Sequence, residues 1–188
     1  MNAGPVINRL RCATGDIHKG LDERLNAIDR LSSRETRGAM VNGYLNFHSR
    51  ADAAFAPWLA GERTLDYGAR RRTPALEQAL ATLRIAPVRS PGPPLAIANL
   101  AQAYGAFYVV EGSTLGGRMI RKAVAARGRD LVGLDFLDPY GDETADRWRS
   151  FMALLEDRAM NQEAQAVIGA TAAFALAEEC LHVQELAA

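Results

Sequence analysis

Residues 104–122 read Tyr-Gly-Ala-Phe-Tyr-Val-Val-Glu-Gly-Ser-Thr-Leu-Gly-Gly-Arg-Met-Ile-Arg-Lys. The apolar residues in and around this segment have a helical pattern, yet glycine occupies positions 105, 112, 116 and 117. Each glycine inside a helix costs roughly 1 kcal/mol relative to alanine, so four of them require a reason beyond helix propensity. Gly112 and Gly116 lie one turn apart on one face, and Gly105 lies two turns earlier on that side. Bare backbone of this kind suits a flat ligand, a kink or a close crossing with another helix.

A second informative segment is Leu-Arg-Cys-Ala-Thr-Gly-Asp-Ile-His, residues 10–18. Apolar residues around it recur at intervals of three and four, which predicts one amphipathic helix over residues 5–31. His18 lies beside the apolar stripe of that helix, and Asp22 follows one turn later. A histidine in this setting is more often a surface residue than a ligand, and Asp22 alone would be an exposed acid.

The two segments together resemble bacterial heme oxygenases. Residues 107–117 are similar to the distal helix of that family, and residues 10–18 to its proximal helix, in the same order and at about the same separation. The resemblance implies an all-α, single-domain helical bundle over residues 1–188, with heme between a proximal N-terminal helix and a glycine-kinked distal helix. It also implies an enzyme that uses O2 and external electrons to cleave heme to biliverdin, carbon monoxide and ferrous iron. Heme is then both substrate and cofactor.

The resemblance assigns roles to individual residues. His18 matches the axial ligand of the heme iron, and Asp22 a carboxylate that fixes the orientation of the ligand ring. Arg11 matches a basic position that pairs with a heme propionate. The expected catalytic group on the distal helix is Gly112, Ser113, Gly116 and Gly117. The other expected heme contacts are Tyr108, Arg118 and Lys122.

Three positions differ from relatives in this family, and two of them, Ser113 and Phe107, differ from its animal members. Ser113 stands where they have an aspartate that organises distal water, so a proton relay would use water, Ser113 or backbone groups. Thr171 replaces a basic residue on the last helix, and Phe107 replaces a tyrosine that contacts a propionate. These differences leave open which meso carbon is cut. They also leave open an alternative function, a non-catalytic heme-binding or heme-trafficking protein on the same fold.

Composition limits the partners and the location. Lys plus Arg and Asp plus Glu number 22 each, which argues against nucleic acid and acidic membranes as partners. Cys12 and Cys180 have no metal-binding or redox spacing, and the N-terminus lacks a signal pattern, so we expect a cytoplasmic protein. The most apolar stretch, residues 95–110, is too short and too polar for a membrane span and predicts a buried helix. The resemblance adds an electron donor such as a ferredoxin or a flavin reductase, and a downstream bilin-binding photoreceptor.

Other patterns predict the remaining helices and links. Ser32-Ser33-Arg34-Glu35 fits a capping box, which opens a helix that Gly61 closes. Residues 87–94 predict a stiff proline-rich loop, and residues 129–141 an irregular link before a helix capped by Asp142. Residues 162–186 predict the last helix.

Two polar motifs have mainly structural or surface interpretations. Arg70-Arg71-Arg72 predicts a solvated basic run, with docking of an acidic electron donor as the alternative. It precedes a helix start at Thr73-Pro74, in which Thr73 is the expected cap and Pro74 lies in the first turn. Glu179 and His182 have the Glu-x-x-His spacing of di-iron bundles, but the chain has no second such pair, so both are expected on the surface. His48 is expected to be structural or exposed.

Overall fold

The computed structural model describes residues 4–90 and 92–182, and every regular element within them is helical. The elements are α1 (Pro5–Leu25), α2 (Ala27–Ser32), α3 (Arg34–Leu59), α4 (Tyr67–Arg70), α5 (Thr73–Leu83), α6 (Leu100–Ala126), α7 (Thr144–Arg158) and α8 (Glu163–His182), with short 3-10 helices at Asp135–Leu137 and Gly141–Glu143. The all-α class predicted from the sequence is therefore confirmed.

The glycine-bearing segment forms the central helix, α6, which packs against α8, α7 and α3. At its N-terminal half, a Cβ added at Gly105 would overlap the backbone carbonyl of Ala166 on α8. A Cβ at Gly169 on α8 would similarly overlap the carbonyl of Gln102. The close-crossing interpretation is thus correct for Gly105. The helix is continuous through all four glycines, and a kink there stays a prediction.

An aromatic cluster fixes the opposite side of α6. Phe107 is fully buried, and its ring centroid lies 5.4 Å from that of Phe55 and 5.6 Å from that of Phe151. Tyr67 adds a third ring at 5.7 Å. Truncating a buried phenylalanine of this kind costs about 3–5 kcal/mol, so Phe107 holds α6 to the core.

The prediction of one helix over residues 5–31 is wrong at Asn26. This residue has a left-handed backbone, with φ of 42°, and separates α1 from α2. Asparagine tolerates this conformation better than most residues because its short amide forms local hydrogen bonds. Its Nδ2 donates to Asp29 Oδ2 at 2.7 Å, inside the first turn of α2.

Several helix starts differ from the prediction. Within the predicted capping segment, Ser33 caps α3 by accepting from the Glu35 backbone N–H at 3.3 Å. Ser32, the first residue of the predicted box, ends α2 instead and donates to the Ile28 carbonyl at 2.6 Å. Asp142 lies in a 3-10 helix instead of capping α7, whose N-cap residue Glu143 forms no side-chain cap. Thr73 also does not cap α5, because its hydroxyl donates to Asp52 at 2.6 Å. The predicted buried helix over residues 95–110 begins only at Leu100, after the N-cap Asn99.

The proline-rich loop is held by α3. Asn42 Nδ2 donates to the Val88 carbonyl at 2.8 Å, and the Ser90 N–H donates to Asn46 Oδ1 at 3.1 Å. The described residues of 87–94 contain no helix, as predicted.

The last helix is apolar along its length. Residues Glu163–Leu181 have a mean hydropathy of 1.3, enough in length and composition for a membrane span, but half of that window is buried inside the protein. This burial is the pattern of a core helix, and α8 packs against α6, α1 and α3. The part of the prediction that covers residues 183–186, and the side chain of His182, lie outside the described residues.

Candidate functional site

The N-terminal helices contact α6 and its C-terminal end at two points, which lie 18 residues apart in the N-terminal segment and 19 apart in the other, so the two segments run in parallel. Arg11 on α1 hydrogen-bonds Tyr108 on α6, and Asp29 on α2 pairs with Arg127 just beyond the end of α6. His18 lies seven residues beyond Arg11, and Gly116 lies eight beyond Tyr108. At a rise of about 1.5 Å per residue, His18 and Gly116 are both about 11 Å past the first contact and therefore at the same level.

We call the surface between these two contacts the α1/α6 face. It comprises Arg11, His18 and Asp22 on α1, and Tyr108, Gly112 and Gly116 on α6.

His18 is accessible on this face. Its side chain is 62% exposed, and Nε2 lies 3.5 Å from Asp22 Oδ2. The ring packs on one side against Phe174 of α8, with centroids 5.7 Å apart. The structure therefore brings the predicted ligand and its predicted carboxylate together. The charge of Asp22 also acts on Tyr44, whose pKa is raised to about 12 by burial and, secondly, by that charge.

The glycines of α6 have three different surroundings. A Cβ added at Gly116 would meet no atom within 4 Å, so bare backbone opens outward there. A Cβ at Gly112 would lie 3.6 Å from the ring of Trp148, an ordinary contact. A Cβ at Gly117 would overlap the backbone carbonyl of Leu137. Gly117 was predicted with the distal catalytic group, but its missing side chain serves packing against the link that follows α6.

Ser113 is exposed, and its hydroxyl donates to the Val110 carbonyl at 2.7 Å, one turn back in the same helix. The single hydroxyl proton is therefore engaged, while the oxygen still accepts hydrogen bonds. This arrangement matters because Ser113 stands where the animal relatives have an aspartate that organises distal water for proton delivery.

The predicted cations are separated by the fold. Arg11 lies against Tyr108, whose pKa is raised by burial and, to a lesser degree, lowered by this guanidinium. Arg118 donates to the Gly141 carbonyl at 2.5 Å and to Asp142 at 3.0 Å, so it stabilises the link after α6. Lys122 is exposed and forms no ion pair with any residue that the structure describes. Arg118 is consequently not available to a ligand in this arrangement.

A buried ionic cluster behind α6 was missed by the sequence analysis. Arg70 and Arg72 are each 3% exposed, so the prediction of a solvated basic run is wrong for both, and only Arg71 is exposed. Arg70 Nη1 lies 2.6 Å from Glu111 Oε2, and the Tyr140 hydroxyl donates to Glu111 Oε1 at 2.7 Å. The available signal was Glu111 itself, because an acid on the buried side of a helix requires a cationic partner.

Two shallow cavities lie elsewhere, between α3, α4, α5 and the proline-rich loop. The larger has a volume of about 580 Å³ and is lined by Asp52, Arg71 and Arg89, and the smaller has about 290 Å³. Their charged groups already have partners, since Asp52 accepts from Thr73 and Arg89 pairs with Glu77. We therefore place the site on the α1/α6 face, where an accessible nitrogen ligand and bare backbone coincide.

The fold and the site define a class of protein. It is an all-helical bundle with an exposed histidine on one helix and open glycine backbone on another. No protein-family model matches the chain. It is 36% identical over 143 residues to a heme oxygenase of Xanthomonas campestris pv. campestris (strain 8004), covering 73% of this chain and 86% of that protein. Its structure matches the NO- and CO-bound heme oxygenase from Neisseria meningitidis with a TM-score of 0.80 and 26% identity, over 97% of this chain and 93% of that one.

The chain belongs to the heme oxygenase family. The resemblance seen in the two sequence segments is thereby confirmed, and the protein is an enzyme of heme cleavage.

Proposed function

We propose that this enzyme binds heme on the α1/α6 face with His18 as the axial ligand and converts it to biliverdin, carbon monoxide and ferrous iron. The proposal is supported by the exposed imidazole of His18 and the open backbone of Gly116. The rise per residue of a helix puts both at a similar distance past the Arg11–Tyr108 contact. Bound heme supplies the oxygen-activating chemistry, and the protein supplies orientation, access and protons.

The residues of this face fit the chemical requirements of a porphyrin. His18 offers a nitrogen ligand, and Asp22, 3.5 Å from Nε2, is positioned to accept a hydrogen bond from the ring. With one ring nitrogen on iron and the other donating to a carboxylate, both the tautomer and the ring orientation are fixed. On the opposite side, Gly112 and Gly116 present flat backbone instead of side chains.

The positions of the cations determine where the heme propionates bind. Arg11 and Tyr108 are adjacent, whereas Lys122 lies 14 residues beyond Tyr108, about 20 Å along α6. Both propionates leave the same edge of a porphyrin, so one heme does not engage both ends. We place the propionates at Arg11 and Tyr108, where a guanidinium and a phenol already meet. Because burial raises the pKa of Tyr108, the phenol stays protonated and donates.

Proton delivery depends on water at the exposed surface of α6. The Ser113 proton is directed to the Val110 carbonyl, so Ser113 contributes an acceptor that orients a water molecule. A bridging water is energetically nearly as good as a direct hydrogen bond, so the absence of an acid at position 113 is compatible with turnover.

The electrons come from outside the chain, in this proposal from a ferredoxin or a flavin reductase. A cytoplasmic location suits the two free cysteines, Cys12 and Cys180. A bilin-binding photoreceptor would use the biliverdin, and the released iron would contribute to iron acquisition.

The test is turnover of the hemin complex with a ferredoxin and its reductase, or with ascorbate, in the presence of catalase. Catalase removes free peroxide, which bleaches heme without an enzyme. We expect a biliverdin absorption band and one iron released per heme. Intact heme recovered with every donor would instead identify a non-catalytic heme-binding protein on the same fold.

A further inference from the structure

The ionic cluster behind α6 carries a net positive charge. We define it as Arg70, Arg72, Glu111 and Tyr140, which contribute two cations, one anion and a neutral phenol. The phenol is neutral because burial and, secondly, the charge of Glu111 raise the pKa of Tyr140 to about 12. The nearby cations outside the cluster are balanced, since Arg71 pairs with Asp52 and Arg147 pairs with Glu143.

Glu111 is shared unequally between the two arginines, and Arg72 is the more weakly paired of them. Glu111 contacts Arg70 at 2.6 Å, but Arg72 Nη2 lies 3.6 Å from Glu111 Oε1, beyond hydrogen-bond distance. This nitrogen is buried and has no hydrogen-bond partner among the described residues. The guanidinium carbon lies 4.4 Å from the centre of the Tyr140 ring, which stabilises the cation without neutralising it.

The charge of Arg72 reaches neighbouring groups. His48, which is 4% exposed, has a pKa lowered to about 3, first by burial and then by repulsion from Arg72. Glu111 directly precedes Gly112 in α6, so the cluster is attached to the same helix as the open backbone of Gly116, five residues earlier.

We infer that Arg72 acts through α6 as an electrostatic element of the heme ligand site and raises the affinity of the bound ferric heme for anionic ligands. The inference rests on the proposed binding of heme at His18. Gly116 lies about 7.5 Å beyond Glu111 along α6, and a helix is about 10 Å across, so the separation is about 12 Å. One unit charge at that distance in a medium of effective dielectric about 20 changes the affinity for an anion by roughly tenfold.

Three variants give the cluster different net charges. Glu111→Gln raises the net charge by one unit, Arg72→Met lowers it by one, and the double variant Arg70→Met/Glu111→Gln leaves it unchanged. We therefore expect the ferric heme complex to bind azide about tenfold more tightly in Glu111→Gln and about tenfold more weakly in Arg72→Met. In the double variant the azide affinity should nearly equal that of wild type. Carbon monoxide is neutral, so its affinity for the ferrous complex should change little in all three.

The expected order of the azide affinities distinguishes an effect of charge from an effect of structure. If the cluster only held α6 in place, every variant would weaken azide and carbon monoxide together, in proportion to its loss of thermal stability. Arg37→Met is the matched control, because Arg37 is 1% exposed and pairs at 2.6 Å with Asp130, which lies beyond the end of α6 and 14 residues after Gly116. It should lower Tm and leave the azide affinity unchanged. Arg72→Lys should retain most of the wild-type affinity, and Arg72→Gln replaces Arg72→Met if the latter does not fold.

The outcomes for the two proposals are distinct. Equal azide dissociation constants in all cluster variants, in complexes that still depend on His18, would overturn the role of Arg72 and leave heme binding intact. A wild-type complex whose spectrum is unchanged by His18→Ala would overturn the proposed heme site itself.

Discussion

Gly116→Ala is expected to stabilise the protein while impairing its function. A glycine inside a helix costs roughly 0.5–1 kcal/mol relative to alanine, and the added methyl group meets no atom within 4 Å. The free energy of unfolding of the heme-free protein should therefore rise by about that amount. For a chain of this size, 1 kcal/mol corresponds to roughly 2–4 °C in Tm.

The heme complex should respond in the opposite direction. The same methyl group would stand where carbon monoxide and oxygen approach the iron, and overpacking of this kind costs about 1–3 kcal/mol. The carbon monoxide affinity of the ferrous complex should then fall by roughly 5- to 150-fold.

The assay combines thermal unfolding of the heme-free protein with titrations of hemin and of carbon monoxide. Gly68→Ala is the control, because Gly68 on α4 is also open to solvent and lies outside the α1/α6 face. It should leave both affinities unchanged. A more stable Gly116→Ala variant with wild-type affinities would refute the assignment of Gly116 to the heme site, and a less stable one would show that Gly116 is packed.

Three further changes test other parts of the structure. Gly105→Ala should lower Tm markedly in thermal unfolding, because its Cβ would overlap the Ala166 carbonyl, and an unchanged Tm would contradict the close crossing. Since the pKa of His48 falls from 6.5 to about 3 on folding, the unfolded chain takes up a proton that the native state does not. Stability should be full above pH 6.5 and decrease towards pH 3, and urea unfolding of His48→Gln should show a flatter dependence. Ser113→Ala should slow biliverdin formation only modestly, since the Val110 carbonyl already accepts its proton; loss of turnover would assign Ser113 a direct role.

The sequence predicts the fold and part of the site because both depend on local periodicity. One-turn spacing brings His18 and Asp22 together in any helix, and the apolar stripes identify the long helices. A helical wheel also places Gly105 and Gly116 on one side of α6. The wheel does not show that α8 covers Gly105 and leaves Gly116 open, because this depends on how α6 and α8 cross.

Other features depend on long-range contacts that a local pattern does not contain. Three consecutive arginines are usually solvated, but Glu111 binds Arg70 from 41 positions away in the chain and makes a buried pair. Arg118 looks like a free cation near the end of a helix, yet the link that follows α6 returns to bind it. Asn26 is a local signal of a helix break, because it is an asparagine inside an apolar repeat. The periodicity of the flanking residues obscured this signal.

The most direct test of the account is the absorption spectrum of the hemin complex of His18→Ala, with and without added imidazole. We expect the wild-type protein and His48→Gln to bind one heme with the same axial-histidine spectrum, in both the ferric and the ferrous carbon monoxide forms. His18→Ala should lose that spectrum and recover it when imidazole occupies the vacated position. An axial-histidine spectrum in His18→Ala without imidazole would contradict the account.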